Sequence, residues 1–147
     1  MKLSTKGRYA VRAMIDLAMN QDGCPVLLKD IAQRQALPER YLEHLMLALK
    51  NTGFVRSSRG ANGGYTLARE PVDITVLEIL RATVGDLCLV ECVHDPDFCS
   101  RTPTCAVRDV WVEICETAGA ILSRTSLDNL VGCQRAKETA EPAMYYI

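Results

Sequence analysis

Residues 27–69, "LLKDIAQRQALPERYLEHLMLALKNTGFVRSSRGANGGYTLAR", contain the change of pattern that decides the fold. Apolar residues recur at helical spacing in residues 27–35 and again in residues 38–51, and "ALP" forms a turn between them. The pattern then alternates on both sides of Asn62-Gly63, a dipeptide that favours a hairpin turn. Two short helices joined by a turn and followed by a β-hairpin are typical of a winged helix-turn-helix.

Helices on both sides of this stretch predict a mainly α-helical protein. The sequence indicates a helix over residues 6–21, capped by Ser4 or Thr5, and another over residues 76–84. From Cys105 onward, apolar residues recur every three or four positions for about twenty residues, which is typical of a long amphipathic helix. Such a helix needs a surface to pack on, and we expect the same helix of a second subunit to supply it.

The predicted organisation has four parts. A winged helix-turn-helix domain spans residues 1–86, a cysteine loop spans 87–104, and a dimerisation helix region spans 105–132. The dimerisation helix region includes a short helix over residues 126–130, capped by Ser126. A polar tail over residues 133–147 is the fourth part.

Composition sets the expected compartment and partners. No apolar run approaches the roughly 18 residues of a membrane span, and the N-terminus shows no secretory pattern. We therefore expect a cytoplasmic homodimer without a membrane partner. Disulfides are rare in the cytoplasm, so the seven cysteines point to metal binding, redox chemistry or simple burial. Residues 1–64 hold ten Lys or Arg against five Asp or Glu, whereas residues 65–147 hold seven against thirteen. A basic first half suggests contact with a polyanion.

Side chains suited to reading DNA lie in the second short helix and in the hairpin. A recognition helix enters the major groove, where Arg40 could donate to guanine and Glu43 could accept from cytosine. Arg59, at the hairpin tip, could enter a narrow minor groove, and the glycines that follow could let backbone N–H groups approach a phosphate. Each residue alone is compatible with an ordinary solvated surface, but together they favour double-stranded DNA as the partner. The predicted contact residues are Lys6, Arg40, Tyr41, Glu43, His44, Arg59, Gly63 and Gly64.

The stretch "ECVHDPDFCSRTPTC", residues 91–105, places three thiols on a polar segment. Iron–sulfur clusters are held by thiolates, and Cys105 lies at the start of the long helix, where the helix dipole favours a thiolate. Six residues separate Cys92 from Cys99 and five separate Cys99 from Cys105. Structural zinc instead favours cysteines paired two to four residues apart. Zinc, a thiol–disulfide switch and plain buried thiols remain alternatives to a cluster.

The chain resembles the IscR/NsrR/RirA group of bacterial regulators over about residues 1–132. The resemblance rests on "MKLSTKGRYAVRAMIDLA", on "IAQRQALPERYLEHLMLALKNTGFVRSSRGANGGYTLAR" and on the three-cysteine loop before a long helix. It implies a homodimeric winged-helix repressor or activator whose DNA binding is set by an iron–sulfur cluster, with Glu43 and Arg59 contacting bases. The metal ligands would be Cys92, Cys99 and Cys105, and a 2Fe-2S cluster is favoured over a 4Fe-4S cluster.

The fourth cluster ligand is the point at which this sequence departs from the resemblance. IscR-like proteins use a histidine three residues after the third cysteine, and that position is Arg108 here. NsrR-like proteins use an acidic residue near position 8 of the partner subunit, and that position is Arg8 here. Arginine cannot ligate a metal. His94 is the nearest substitute, and the other open choices are Asp95, Asp97, Cys88 and an exogenous ligand.

Two further classes of function are weighed against the regulator. The only histidines are His44 and His94, and "GANGG" joins two strands instead of opening a helix, which argues against an enzyme. A small iron–sulfur electron-transfer or cluster-carrier protein is one alternative, and a thiol-redox or zinc-dependent regulator without a cluster is another. The signal, whether cluster or iron status, redox state or nitric oxide, is left open by the sequence, as are the target genes.

Overall fold

The computed structural model describes residues 4–60, 63–85, 87–88 and 90–140. Asn62, the predicted turn residue, lies outside the described residues, as does the end of the predicted tail. The described chain is mainly helical with one two-stranded sheet, which confirms the predicted fold class. In chain order the elements are α1 (Thr5–Asn20), α2 (Leu28–Gln35), α3 (Glu39–Asn51), β1 (Val55–Ser58), β2 (Gly64–Leu67), α4 (Val76–Val84), α5 (Glu91–His94), α6 (Ala106–Arg124) and α7 (Leu127–Ala140).

Local capping chemistry explains where several helices begin. The Ser4 hydroxyl accepts from the Gly7 N–H at 3.1 Å and opens α1. Thr75 and Glu78 form a reciprocal capping box at the start of α4. Pro38 was expected inside the first turn of α3, but it is the residue before the helix, because its backbone is extended with ψ of 129°.

The hydrophobic core lies around α1, which packs against α2, α3, α4 and α7. The apolar stripes expected from the sequence are buried, both on α1 and on α3. Burying side chains of this size contributes about 1.5–3 kcal/mol each before the entropy cost of folding. The largest fully buried side chains are Met14, Leu17, Ile31, Leu42, Leu45, Met46, Leu49, Ile74, Ile79, Leu80 and Leu127.

A polar network centred on Asp16 joins α1 to α2 beside this core. Asp16 is only 4% exposed, and Arg34 donates to both carboxylate oxygens, with its Nη2 lying 2.7 Å from Oδ1. Gln35 Nε2 donates to the same carboxylate at 2.9 Å. Arg12 then donates to the side-chain oxygen of Gln35 at 3.0 Å and to its backbone oxygen at 2.7 Å. The hydrogen bond to Asp16 raises the pKa of Arg34. Together, the bonds of the network hold the end of α2 against α1.

The C-terminal part of the chain differs from the expectation. Ser126 caps α7 as predicted, since its hydroxyl accepts from the Asn129 N–H at 3.1 Å. The helix does not stop at residue 130, however, and the predicted tail boundary at 133 falls inside it. Leu127 and Val131 are buried as α7 turns back along α1, so tertiary packing extends a helix whose own amphipathic pattern is weak. In the part of the chain that is described, no helix combines the length and apolar character needed to cross a membrane.

We expect Asp16→Asn to lower the free energy of unfolding by about 1–3 kcal/mol, because the charged acceptor of a buried network is lost. Urea unfolding followed by circular dichroism measures the change. Asp22→Asn, in the exposed turn after α1, is the matched control and should unfold like the wild type. Equal stability of the Asp16 variant and this control would show that the network does not stabilise the fold.

Candidate nucleic-acid interface and cysteine segment

The exposed face of α3 carries three of the eight residues that the sequence predicts as DNA contacts. Leu42, Leu45, Met46 and Leu49 turn one side of the helix into the core. Arg40, Glu43 and His44 are therefore left exposed on the other side. This arrangement presents hydrogen-bond donors and acceptors together along one helix, as a recognition helix requires.

Tyr41 lies differently from its neighbours on α3. It is half-buried, and its ring meets that of Tyr9 edge to face, with centroids 5.9 Å apart. The guanidinium groups of Arg8 and Arg12 lie 5.9 Å and 5.5 Å from the centre of the Tyr9 ring. Lys6 is exposed on the same first turns of α1. Cations and aromatic rings thus gather where α1 meets the start of α3, a composition suited to phosphate contacts.

The sequence reasoning missed Tyr9 and Arg12 in this cluster. The only signal available was the alternation of basic and aromatic residues in "KGRYAVR", because the partner of Tyr9 lies on another helix. Spacing along one helix does not show which side chains of two helices meet.

The hairpin forms a short wing beside α3. Strand β1 pairs antiparallel with β2, with Val55 opposite Leu67 and Ser58 opposite Gly64. Arg59 follows β1 directly and is exposed. Lys50 Nζ donates to Ser57 Oγ at 2.6 Å, which links the end of α3 to the wing. The pKa of Tyr65 is raised, first by burial and then by the negative charge of Glu43.

The loop between α1 and α2 holds the wing in place. Val26 and Tyr65 exchange two backbone hydrogen bonds of 2.9 Å and 2.8 Å. Gln21 Oε1 accepts from the Leu67 N–H at 2.7 Å. Gly64 lies so close to this loop that a Cβ added there would be 2.5 Å from the Val26 carbonyl oxygen.

The glycines of the wing have a steric role that the sequence did not predict. The N–H of Gly63 donates to the Gly60 carbonyl at 3.0 Å, so it is engaged within the turn. A Cβ at Gly63 would lie 2.6 Å from the Ser58 carbonyl oxygen. Both glycines are required because the protein's own backbone occupies the space a side chain would need.

The three cysteines lie on a segment of short helical turns instead of an irregular loop. Cys92 lies in α5, Cys99 follows the 3-10 turn Pro96–Phe98, and Cys105 is the residue that precedes α6. All three are half-buried, whereas His94 is exposed. Arg108 Nε donates to the Cys92 carbonyl at 3.0 Å, so α5 is tied to the first turn of α6.

The donor chemistry of this segment fits a thiolate-bound group, but its geometry is not that of a ready-made site. Three thiols lie within one stretch of chain between α4 and α6, and thiolates are the ligands that iron–sulfur clusters prefer. Within residues 4–60, 63–85, 87–88 and 90–140, however, no three His, Cys, Asp or Glu side chains are grouped to hold a metal ion. The ligands would have to be gathered as the group binds.

The fold and the exposed side chains together define a class of protein. A helix-turn-helix with a docked wing, a polar exposed α3 face and a cluster of cations form a winged-helix DNA-binding protein. Residues 3–132 match the Rrf2 family, described as "Iron-dependent Transcriptional regulator". The chain belongs to the Rrf2 family of transcriptional regulators, which confirms the resemblance found in the sequence. Its relatives are named as regulators, so the protein is not an enzyme.

Relatives of two kinds are similar to the chain. It is 40% identical to the HTH-type transcriptional regulator CymR of Bacillus subtilis over 147 residues, all of both chains. The solved structure of that global cysteine regulator has a TM-score of 0.76 and covers 90% of this chain and 97% of its own. The structure of T. potens IscR is 37% identical with a TM-score of 0.74, covering 100% of this chain and 93% of its own. IscR of Photorhabdus laumondii is 35% identical over 140 residues, 95% of this chain and 85% of the relative.

We expect Gly64→Ala to destabilise the protein by about 1–3 kcal/mol, since Gly64 has a φ of +149° and no room for a side chain. Thermal unfolding measures the loss, and weaker DNA binding should accompany it as the wing moves off Val26. Gly132→Ala is the matched control, because Gly132 lies in α7 with nothing within 4 Å of an added Cβ. If both substitutions are neutral, the close approach of the wing to Val26 does not constrain this position.

Proposed function

We propose that the protein is a cytoplasmic homodimeric regulator that reads its operator with α3 and the wing. We propose further that an iron–sulfur cluster held by Cys92, Cys99 and Cys105 sets its DNA affinity. The observation that carries the proposal is the Arg108–Cys92 hydrogen bond of 3.0 Å, because it joins the segment with the three thiols directly to α6. Chemistry at the thiols can therefore reach the helix that would pair two reading heads.

The DNA-reading role rests on the exposure and grouping of side chains around α3. Arg40 suits a guanine edge and Glu43 suits the amino group of cytosine, while His44 can donate or accept. Lys6 and Tyr41 lie where α1 meets α3 and suit phosphates. Arg59, on the exposed tip of the wing, suits the minor groove.

Arg59→Ala should weaken operator binding by about 1–3 kcal/mol, because a cation is removed from the groove. Glu43→Ala should instead broaden the sequences bound, since a carboxylate near phosphates acts mainly by rejecting wrong bases. Binding to a randomised DNA library, sequenced after selection, separates the two effects. A uniform loss of affinity over all sequences for Glu43→Ala would contradict its role as a reader.

The dimer is proposed from the division of the apolar face of α6. Helix α6 packs against α4 and α5, and its half-buried apolar side chains include Trp111, Ala118 and Leu122. A second apolar row remains exposed by 36–50% beside it. A partner's α6 would cover this row and fix the spacing of the two reading heads. The exposed row consists of Val107, Val110, Ile114 and Ile121.

Ile114→Glu should convert the dimer to a monomer, because a charge would be buried in an apolar seam. Sedimentation velocity measures the mass. Glu116→Lys, an equally drastic change on the exposed opposite side of α6, is the control and should stay dimeric. An Ile114→Glu protein that still sediments as a dimer would place the subunit contact elsewhere.

The cluster is proposed from the donor set and from the family description, "Iron-dependent Transcriptional regulator". When bound, the cluster would supply a redox-active iron centre, with 2Fe-2S favoured over 4Fe-4S. The chain's own part is to bring three thiolates together, which requires the short turns between α5 and α6 to rearrange. Those turns contain no buried residue. Arg108 cannot be a ligand, so the fourth position falls to His94, another side chain or an exogenous group.

Protein purified without oxygen should be coloured and carry iron with acid-labile sulfide. Cys92→Ala, Cys99→Ala and Cys105→Ala should each abolish both, because each removes a thiolate that no neighbour replaces. Cys24→Ala and Cys133→Ala, at exposed cysteines outside the segment, are the controls and should keep them. Zinc in place of iron would indicate a structural metal, and equal operator affinity with and without the cluster would rule out a cluster-based switch.

A thiol-based regulator without a cluster is the second candidate. The similarity to CymR, named a global cysteine regulator, favours it, as does the absence of a gathered ligand group in the described residues. Iron and sulfide analysis of the anaerobic protein distinguishes the two candidates. Sequence-specific, salt-sensitive shifts of operator DNA separate both from an electron-transfer or cluster-carrier protein.

A further inference from the structure

Leu47 is an apolar side chain on the otherwise polar exposed face of α3. It is 52% exposed, although leucine on a surface helix usually turns into the core. We propose that Leu47 is a specificity-determining residue that contacts the 5-methyl group of a thymine in the major groove. The inference rests on the proposed function, in which α3 is the reading helix.

The position of Leu47 on α3 supports this role. Arg40, Glu43, His44 and Leu47 follow one another at spacings of i, i+3, i+4 and i+7, so they share one face of the helix. Homeodomain recognition helices place their four reading residues at this same spacing. A helix that lies in the groove along this face would bring Leu47 to the base edges together with the three polar residues.

The surroundings of Leu47 place it inside the surface that DNA would cover. One turn before it stand Glu43 and His44, and three residues after it Lys50 donates to Ser57 of the wing. The row of exposed side chains therefore runs from the readers to the wing, and Leu47 lies between them. DNA that touches both the readers and the wing would desolvate this leucine as well.

The chemistry of the leucine selects its partner on DNA. In the major groove, the one distinctive apolar group on any base is the C5-methyl of thymine. The other groups that distinguish the bases there are hydrogen-bond donors and acceptors. Leucine has neither donor nor acceptor, so it would leave the polar edges of cytosine or guanine unsatisfied. Burying a single methyl against it should strengthen binding about fourfold.

The test uses the full-length protein and an operator selected from a randomised library. Each thymine of the operator is replaced in turn by deoxyuridine, which removes only the methyl group. For the wild type we expect one thymine in each half-site whose replacement weakens binding about fourfold. For Leu47→Ala, thymine and deoxyuridine at that position should bind equally, whereas Leu47→Met should retain most of the preference.

Two controls show whether a lost thymine preference is specific to Leu47 and whether the Leu47→Ala protein is folded. Val72→Ala, at another exposed apolar residue outside α3, should keep the full thymine preference of the wild type. Thermal unfolding should show that Leu47→Ala folds normally, as expected for a half-exposed side chain. Equal affinity of Leu47→Ala and wild type, or an equal loss on thymine and deoxyuridine at every position, would overturn the proposal. If Glu43→Ala also left base preference unchanged, the failure would lie in α3 as the reading helix and not in Leu47 alone.

Discussion

The hydrogen bonds to the Asp16 carboxylate are the interaction on which the position of α2 against α1, and with it the helix-turn-helix, depends. The carboxylate is buried, and both of its oxygens accept hydrogen bonds from the end of α2. A buried charge without such partners would cost several kcal/mol, so the network favours the position of α2 in which Arg34 and Gln35 reach Asp16. Gln35 also accepts from Arg12, and the next residue, Ala36, adopts a left-handed conformation with φ of 51°. The turn into α3 begins at Ala36, directly after the hydrogen-bonded end of α2.

The wing also depends on contacts with the rest of the protein, because it has only two short strands and could not be stable alone. Its second strand is bonded on its free edge to Val26 and Gln21, both from the loop that follows α1. Lys50 adds a bond from α3. Helix α1 is therefore the common support of both surfaces proposed to touch DNA: its buried carboxylate holds one, and the loop after it holds the other. The readers and the wing form a single unit, and their spacing does not depend on the wing's own stability.

Much of this fold could be predicted from hydrophobic spacing, because a helix that buries one face needs apolar residues every three or four positions. The helices α1, α3 and α4 and the hairpin were expected where they occur, and α6 begins at Ala106, one residue after the predicted start at Cys105. The extent of α7 could not be predicted, because contacts with α1 stabilise it and its own pattern is weak. Contacts between elements could not be predicted from the sequence either. Examples are the Tyr9–Tyr41 ring pair and the close approach of the Val26 carbonyl, which leaves no room for a side chain at Gly64. The cysteines were found by spacing, yet spacing does not tell whether thiols converge, and in the described residues they do not form a metal-ready group.

If a second subunit covers the exposed row on α6, as proposed, the concentration of the protein becomes part of its regulation. A single chain leaves the four apolar side chains of this row exposed, and in the proposed dimer a second chain would cover them only at a sufficient concentration. By mass action, pairing and folding stability then rise together with protein concentration. A cell that dilutes the protein would lose paired reading heads before it lost folded chains, and occupancy of a two-half-site operator would fall more steeply than protein level. In the proposed dimer, the rates of protein synthesis and of cell growth would therefore affect operator occupancy.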